Sequence, residues 1–197
     1  MFLQRTSLVL RRSAVPRAAF TRAFSEGYPK KPMEGQQVPD VTFKTRVNNE
    51  FVDVNTRSHF AGKKVVLFAL PGAFTPTCSS THLPGYAEKA AELKAQGVDE
   101  IACLSVNDGF VMKSWGEDLG VKESDVTLLP DGNGEFTKAM GMDCDKSAIG
   151  FGDRSWRYSM VIDNNEIKKI FAEPKKDGDP FEVSDVDTML AYLKLHK

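Results

Sequence analysis

Residues 65–78 read Val-Val-Leu-Phe-Ala-Leu-Pro-Gly-Ala-Phe-Thr-Pro-Thr-Cys. The first six residues form a continuous apolar run, which is typical of a parallel strand that is buried on both faces. Pro71 and Gly72 end this run, so the next residues form a loop at the carboxyl end of the strand. From Cys78 onward, apolar residues recur at helical spacing until Gly97 stops the pattern. The stretch therefore predicts a strand, a loop and a helix, with a cysteine in the first helical turn.

Downstream segments extend this pattern. Residues 101–106 and 126–129 predict two more buried strands, and Asp108 can cap a helix between them. Residues 158–162 and 167–171 flank an Asp-Asn-Asn-Glu turn and predict a hairpin, because asparagine tolerates positive φ. A Ser184-x-x-Asp187 box then opens a last helix. The order predicts one α/β domain with a mixed central sheet and helices on both faces.

The remaining segments carry weaker signals. Residues 38–43 predict a first edge strand, and residues 51–60 predict mostly turn with a short helix. Residues 134–140 predict a short helix, and the stretch from there to residue 156 is expected to be irregular.

Composition limits the possible functions. The chain has 197 residues, of which 41% are hydrophobic, with 26 basic and 27 acidic side chains. Its longest apolar run has six residues, far below the roughly 20 needed to cross a bilayer, so no membrane partner is expected. Three cysteines without a Cys-x-x-Cys pair argue against both a disulfide scaffold and a zinc site. Any cysteine chemistry is therefore expected to be reactive, with no metal involved.

The amino terminus differs in charge from the rest. Residues 1–24 contain no acidic residue, and apolar side chains are interleaved with Arg5, Arg11, Arg12, Arg17 and Arg22. This composition is typical of a mitochondrial transit peptide, and it predicts a matrix protein whose folded domain spans residues 25–197. Without these arginines the chain has 21 basic and 27 acidic residues. A net charge of −6 does not favour nucleic acid as a partner.

Cys78 is the candidate nucleophile. A thiol in the first turn of a helix faces unpaired backbone N–H groups and the positive end of the helix dipole, which favour the thiolate. Thr75 lies three residues earlier and can place its hydroxyl beside the sulfur. Pro71 and Pro76 are expected to stiffen the loop and to shield the thiolate from bulk water.

Residues 71–85 resemble the active-site signature of the peroxiredoxins, and specifically of their type II (Prx5-like, atypical) branch. Residues 102–108 resemble the second core strand of that family, and residues 157–160 resemble the strand that delivers its active-site arginine. The similarity covers essentially all of residues 38–196.

This resemblance implies a thioredoxin-like fold, no metal, no organic cofactor and a homodimer. It implies that Cys78 is the peroxidatic nucleophile and that Pro71, Thr75 and Arg157 complete the site. The implied substrates are hydrogen peroxide and small alkyl hydroperoxides. The implied reductant is thioredoxin, or glutathione with glutaredoxin.

Ionisation of the thiol explains only a small part of such an activity. A free thiol with a pKa of about 8.5 is already about 10% ionised at pH 7.5, so complete ionisation supplies only about tenfold in rate. The larger contribution is expected from groups that hold the peroxide and stabilise charge as its O–O bond breaks. Candidate groups are Arg157, the Thr75 hydroxyl and the backbone N–H groups of Thr77 and Cys78. Phe74, next to these residues, is a candidate for core packing, for a pocket wall or for a dimer contact.

Three routes remain open for resolving a Cys78 sulfenic acid. Cys103 lies 25 residues further on, a spacing that resembles the second cysteine of plant-like type II members, yet a cysteine in an apolar strand is ordinarily a small core residue. Cys144 stands in an irregular segment. An external thiol is the third route. The carboxyl-terminal resolving cysteine of the animal branch has no counterpart, since residues 181–184 contain no cysteine.

Two other functions compete with the peroxidase. A thioredoxin-like disulfide oxidoreductase needs a vicinal dithiol, but Thr75 and Thr81 occupy the two positions where the second cysteine would stand. A peroxide-sensing relay or chaperone is the other alternative. His82, four residues after Cys78, forms either a catalytic pair with it or a structural hydrogen bond.

Overall fold

A computed structural model of the chain describes residues 28–48, 50–176 and 178–196. The predicted transit peptide, residues 1–24, lies outside them. The strands are β1 (Thr42–Val47), β2 (Glu50–Asn55), β3 (Lys64–Leu70), β4 (Glu100–Ser105), β5 (Thr127–Pro130), β6 (Asp143–Asp145), β7 (Asp153–Ser155), β8 (Tyr158–Asp163) and β9 (Glu166–Ala172). The α-helices are α1 (Thr56–Phe60), α2 (Leu83–Glu88), α3 (Ala90–Ala95), α4 (Gly109–Asp118), α5 (Glu135–Ala139) and α6 (Val186–Leu195). A π-helical turn spans Cys78–His82, and a 3-10 turn spans Ser147–Ile149.

Five strands form the central sheet in the order β5-β4-β3-β8-β9. Strand β3 pairs in parallel with β4, and β4 pairs in parallel with β5. Strands β8 and β9 run antiparallel and complete the other half, with β8 paired to β3. The predicted thioredoxin-like fold with a mixed sheet is therefore confirmed.

Strand β3 is buried on both faces because its side chains alternate between two cores. One core takes Val65, Leu67 and Ala69, together with residues of α1 and α5. The other core takes Val66, Phe68 and Leu70, together with residues of α2, α3, α4 and α6. Helices therefore cover both faces of the sheet, and the loop after Leu70 emerges where its strands end.

Several local signals form as the sequence predicts. The Asp108 side chain accepts hydrogen bonds from the backbone N–H groups of Phe110 and Val111 and so caps α4. Asn164 and Asn165 adopt φ values of 45° and 68° in the turn between β8 and β9. Gly97 adopts a φ of 83° after α3, the left-handed conformation that ends a helix at low steric cost.

The prediction for the amino-terminal half of the domain is wrong in two places. The first strand is β1 rather than residues 38–43, and it pairs with β2 in a separate two-stranded sheet instead of forming an edge of the central sheet. Strand β2 occupies residues that were predicted as turn. Its side chains are mostly exposed, so burial imposes no alternation of apolar residues that a sequence could reveal.

Two further details differ from the sequence prediction. The cap of α6 is Asp185 rather than Ser184, and its side chain accepts from the backbone N–H groups of Asp187 and Thr188. The stretch expected to be irregular before Trp156 contains the short hairpin of β6 and β7. Strands of three residues are too short for a period to be recognised.

No helix within the described residues is long and apolar enough to span a bilayer.

Candidate active site

The loop after β3 is tied to the end of β4. The amide side chain of Asn107 accepts a hydrogen bond from the Ala73 backbone N–H at 3.0 Å and another from the Ser105 hydroxyl at 2.7 Å. Phe74 has a φ of 60°, a conformation that costs an aromatic residue steric energy unless its surroundings enforce it. Its ring is 55% exposed. The loop is therefore held in a strained shape by the ends of two neighbouring strands.

Cys78 begins a π-helical turn and is completely buried. Its carbonyl accepts the Leu83 N–H, which is the i to i+5 bond of a π-turn. Thr77 stands at the amino-terminal cap position of this turn and is half-buried. Pro71, at the other end of the loop, is buried. The predicted strand, loop and cysteine arrangement is present, although the first turn is π-helical rather than α-helical.

Arg157 lies beside the sulfur. It directly precedes β8, and its side chain is 1% exposed. Its Nη2 donates to Cys78 Sγ at 3.5 Å, and its Nη1 donates to His82 Nδ1 at 3.1 Å. Burial opposes the positive charge, but the charge of Cys78 and the bond to Asp179 outweigh burial and raise the pKa of the guanidinium. The site thus holds a permanent cation against the sulfur of Cys78.

Thr75 uses its hydroxyl proton within the loop. The hydroxyl donates to the Gly72 carbonyl at 2.8 Å, and the Thr75 carbonyl accepts the Ser79 N–H at 3.0 Å. A hydroxyl whose one proton is committed in this way has its lone pairs left as acceptors. Thr75 is therefore oriented to accept a hydrogen bond rather than to donate one to Cys78.

His82 is hydrogen-bonded through both ring nitrogens. Its Nε2 contacts the Ser184 carbonyl at 3.2 Å, and its Nδ1 contacts Arg157. The structural interpretation of His82 is therefore confirmed, and the direct Cys78–His82 pair is wrong because neither nitrogen remains for the sulfur. Burial, reinforced by the charge of Arg157, lowers the pKa of His82 to about 3.

Asp179 belongs to the site but has no counterpart among the residues that the sequence predicted. Both of its carboxylate oxygens lie 2.6 Å from Arg157 Nη2, and its side chain is 40% exposed. It lies 22 residues after Arg157 in a segment without regular structure. An acidic residue between Gly178 and Pro180 has no spacing that would have marked it as a partner of the arginine.

The other two cysteines lie on opposite faces of the sheet. Cys103, in β4, is buried in the same core as Cys78. Cys144, in β6, belongs to the core on the other face. All three thiols are free. Burial raises the pKa of the Cys103 thiol well above its ordinary value and that of Cys144 to about 11.

Within residues 28–48, 50–176 and 178–196, no group of three or more His, Cys, Asp or Glu side chains is arranged to hold a metal ion.

We predict that acidification destabilises the chain more steeply than it destabilises a His82→Gln variant. An unfolded histidine binds a proton near pH 6.5, whereas His82 in the fold does so only near pH 3. The unfolded state therefore binds more protons between these values, so the stability present above pH 6.5 is lost progressively as the pH falls. The loss is up to about 1.4 kcal/mol per pH unit.

Urea unfolding at pH 7 and pH 5 measures this difference, which we expect to be about 2 kcal/mol larger in the natural chain. Equal losses of unfolding free energy in the two proteins would contradict the prediction.

Comparisons with known proteins identify the family. The sequence profile of the Redoxin family matches residues 33–190. Peroxiredoxin sll1621 from Synechocystis is 57% identical, and the match covers 82% of this chain and 92% of that protein. Hybrid peroxiredoxin hyPrx5 from Haemophilus influenzae is 56% identical, and the match covers 82% of this chain and 66% of that protein.

The crystal structure of reduced Prx3 from Vibrio vulnificus in complex with H2O2 is similar at a TM-score of 0.77 and 47% identity. The match covers 83% of this chain and 99% of that chain. With a Redoxin match over most of the domain and such identities to peroxiredoxins, this chain belongs to the peroxiredoxin family as a thiol-dependent peroxidase close to the Prx5-like and hybrid members.

Proposed function

We propose that Cys78 is the peroxidatic nucleophile and that it reduces hydrogen peroxide and small alkyl hydroperoxides. The observation that carries this assignment is the contact between Arg157 Nη2 and Cys78 Sγ at 3.5 Å in a buried site. The contact places a permanent positive charge beside the one sulfur that lies at the end of β3. The relative from Vibrio vulnificus was crystallised with H2O2, which supports the same small substrate here.

The proposed step transfers two electrons from sulfur to the peroxide. The Cys78 thiolate attacks one peroxide oxygen, an S–O bond forms and the O–O bond breaks. The sulfur is oxidised to a sulfenic acid. The leaving alkoxide or hydroxide takes up a proton and departs as an alcohol or water. Negative charge moves from sulfur to the leaving oxygen, so a donor that contacts both positions stabilises the transition state more than the ground state.

Arg157 and Thr75 are suited to complementary roles in this step. The Arg157 Nε–H is buried and has no hydrogen-bond partner among the described residues, so it remains as a donor for a peroxide oxygen. The Thr75 hydroxyl already donates to Gly72 and therefore offers a lone pair to the peroxide O–H. We propose that the two side chains, with the backbone N–H groups of Thr77 and Cys78, hold the peroxide in line with the sulfur.

We predict that Arg157→Ala lowers the rate of Cys78 oxidation by hydrogen peroxide about 100-fold and that Thr75→Val lowers it at least about tenfold. Alkylation of Cys78 by iodoacetamide should fall by no more than about tenfold, because that reagent has no O–O bond to polarise and depends only on the thiolate fraction. Stopped-flow fluorescence and mass spectrometry of the alkylated peptide measure the two rates.

Thr75→Ser, which keeps the hydroxyl, is the matched control and should retain most of the peroxide rate. Equal losses with both reagents would refute the proposed roles, since they would indicate that the substitutions alter only ionisation of the thiol.

For recycling, we propose that Cys103 is the internal candidate for resolving the sulfenic acid. It lies in the same core as Cys78, whereas Cys144 lies across the sheet. Cys103 is fixed in the middle of β4, where Phe68 of β3 and Leu128 of β5 flank it. The π-helical turn of Cys78 is the element proposed to move, because such turns are rare and occur mostly as short insertions at functional sites. Its unwinding would bring the sulfurs together.

We predict that peroxide-treated chain without added thiol forms a Cys78–Cys103 disulfide, detected by mass spectrometry of non-reduced peptides. Cys103→Ser should instead accumulate the sulfenic acid and lose turnover with thioredoxin by at least about tenfold, because no disulfide forms for thioredoxin to reduce. Cys144→Ser is the matched control and should behave as the natural chain does. Undiminished turnover of Cys103→Ser would show that glutathione, glutaredoxin or thioredoxin attacks Cys78 directly.

We also propose that the chain forms a homodimer through the surface around the Cys78 loop. Large apolar side chains are exposed in this loop and in the segments that follow β4 and β6, namely Phe74, Phe110, Ile149 and Phe151. Arg154 links two of these segments, since it donates to the Phe151 and Val106 carbonyls. Exposed apolar groups of this kind mark protein contacts. Sedimentation velocity should give the mass of a dimer for the natural chain and of a monomer for Phe110→Asp.

For location, we propose the mitochondrial matrix, with residues 1–24 as the transit peptide. The support is the acid-free, arginine-rich composition of that segment and the inward-negative potential that draws such a segment across the inner membrane. Cytosolic retention of a fluorescent protein fused to residues 1–24 would contradict this.

A further inference from the structure

A second carboxylate supports the site from a distance. Glu173 follows β9 and is 2% exposed. Its backbone N–H donates to the Arg157 carbonyl at 3.1 Å, so the two residues are neighbours across the strands. A buried carboxylate is costly unless donors surround it, and the Glu173 side chain has four such donors.

These donors all come from one short stretch, residues 182–184. The backbone N–H of Ser184 and its hydroxyl donate to Glu173 Oε1 at 2.8 Å and 2.7 Å. The Val183 N–H donates to the same oxygen at 3.0 Å, and the Glu182 N–H donates to Oε2 at 2.8 Å. The carboxylate therefore fixes the position of the Ser184 backbone.

The Ser184 carbonyl connects this stretch to the π-helical turn that carries Cys78 and His82. It accepts hydrogen bonds from Tyr86 Oη at 2.9 Å and from His82 Nε2 at 3.2 Å. A carbonyl can only accept, so the proton of the neutral imidazole must be on Nε2. The other nitrogen, Nδ1, is then a free acceptor for Arg157, whose guanidinium can only donate. One tautomer of His82 satisfies both contacts.

We propose that Glu173 is a positioning residue that selects this His82 tautomer through Ser184 and thereby holds the Arg157 guanidinium against Cys78. The proposal rests on the function proposed above, because the effect of Glu173 on rate is exerted through the peroxide step. Glu173 itself touches neither the sulfur nor the substrate.

Both ends of the Glu173 side chain must be hydrogen-bond acceptors. Both carboxylate oxygens accept from N–H or O–H donors. Glutamine has the same shape but carries an NH2 group in place of one oxygen. That NH2 group would face an N–H or O–H donor of residues 182–184, and two donors cannot form a hydrogen bond with each other. The stretch 182–184 would shift, and the Ser184 carbonyl would no longer be fixed opposite His82 Nε2.

The test compares Glu173→Gln with Glu166→Gln. Glu166 begins the same strand and pairs with Lys168 at the surface, so it is a matched control. Glu173→Gln should lower the rate of Cys78 oxidation by hydrogen peroxide about 10- to 100-fold, since small displacements of catalytic groups have effects of this size. Iodoacetamide alkylation should change much less. Glu166→Gln should leave both rates unchanged.

NMR of the imidazole nitrogens shows which ring nitrogen of His82 carries the proton. A general loss of packing would not change that position. The chain has three histidines, and a His82→Gln variant assigns the His82 signals. In the natural chain we expect a proton on Nε2 only, and in Glu173→Gln a mixture of the two neutral tautomers. In a His82→Gln background, adding Glu173→Gln should slow peroxide oxidation less than twofold, because residues that act through one another are not additive.

Any of the following results would overturn the proposal: a natural chain with the proton on Nδ1, a Glu173→Gln variant with the natural peroxide rate, or losses that multiply in the double variant. If Glu173→Gln does not fold, Ser184→Ala replaces it, since it removes one donor of four and should give a smaller loss with the same tautomer mixture. An unchanged rate in Ser184→Ala would also overturn the proposal. Failure of the natural chain to react with peroxide would instead refute the proposed function, while the tautomer measurement would still stand.

Discussion

A guanidinium held in the interior of the protein is the constraint on which the site depends. Burying one charge costs several kcal/mol unless opposite charges and hydrogen bonds surround it. Arg157 meets this requirement with Asp179 on one side, the sulfur of Cys78 on another and an acceptor nitrogen of His82 on a third. Each of these neighbours therefore has a fixed role: Asp179 and Cys78 accept hydrogen bonds from the guanidinium, and His82 must leave its Nδ1 free of a proton to do the same.

These neighbours come from two segments that are far apart in the chain. Cys78 and His82 share one π-helical turn at the end of β3, while Asp179 belongs to the segment that follows β9. The central sheet brings them together, because β8, which Arg157 precedes, pairs with both β3 and β9. The fold thus places the arginine between the turn that carries the nucleophile and the segment that balances its charge.

The sequence predicts well those features that depend on neighbouring residues. The apolar run of β3, the Asp108 cap and the turn at Asn164 are local patterns, and each forms as expected. Cys78 is predicted as the nucleophile from its place after a buried strand, whereas Arg157 enters the predicted site only through a family resemblance. The structure brings the two side chains into contact.

The features that the sequence does not predict depend on contacts across the fold. Asp179 and Glu173 become site residues only because strand pairing brings their segment against Arg157. Strand β2 escapes prediction for a different reason, since its exposed side chains carry no alternating pattern. Features that depend on neighbouring residues can be predicted from the sequence, whereas the residues that surround a buried charge are determined by the strand pairing of the fold.

The complete burial of Cys78 also keeps its sulfur out of direct contact with disulfides in the surrounding solution. Thiol–disulfide exchange requires the attacking sulfur to approach the disulfide along its S–S axis, and that geometry needs room around both partners. Oxidised glutathione and protein disulfides are too large to reach a sulfur that has no solvent-accessible surface. Exchange with a disulfide therefore requires the π-helical turn around Cys78 to open first, so burial protects the reduced sulfur from disulfides of its surroundings.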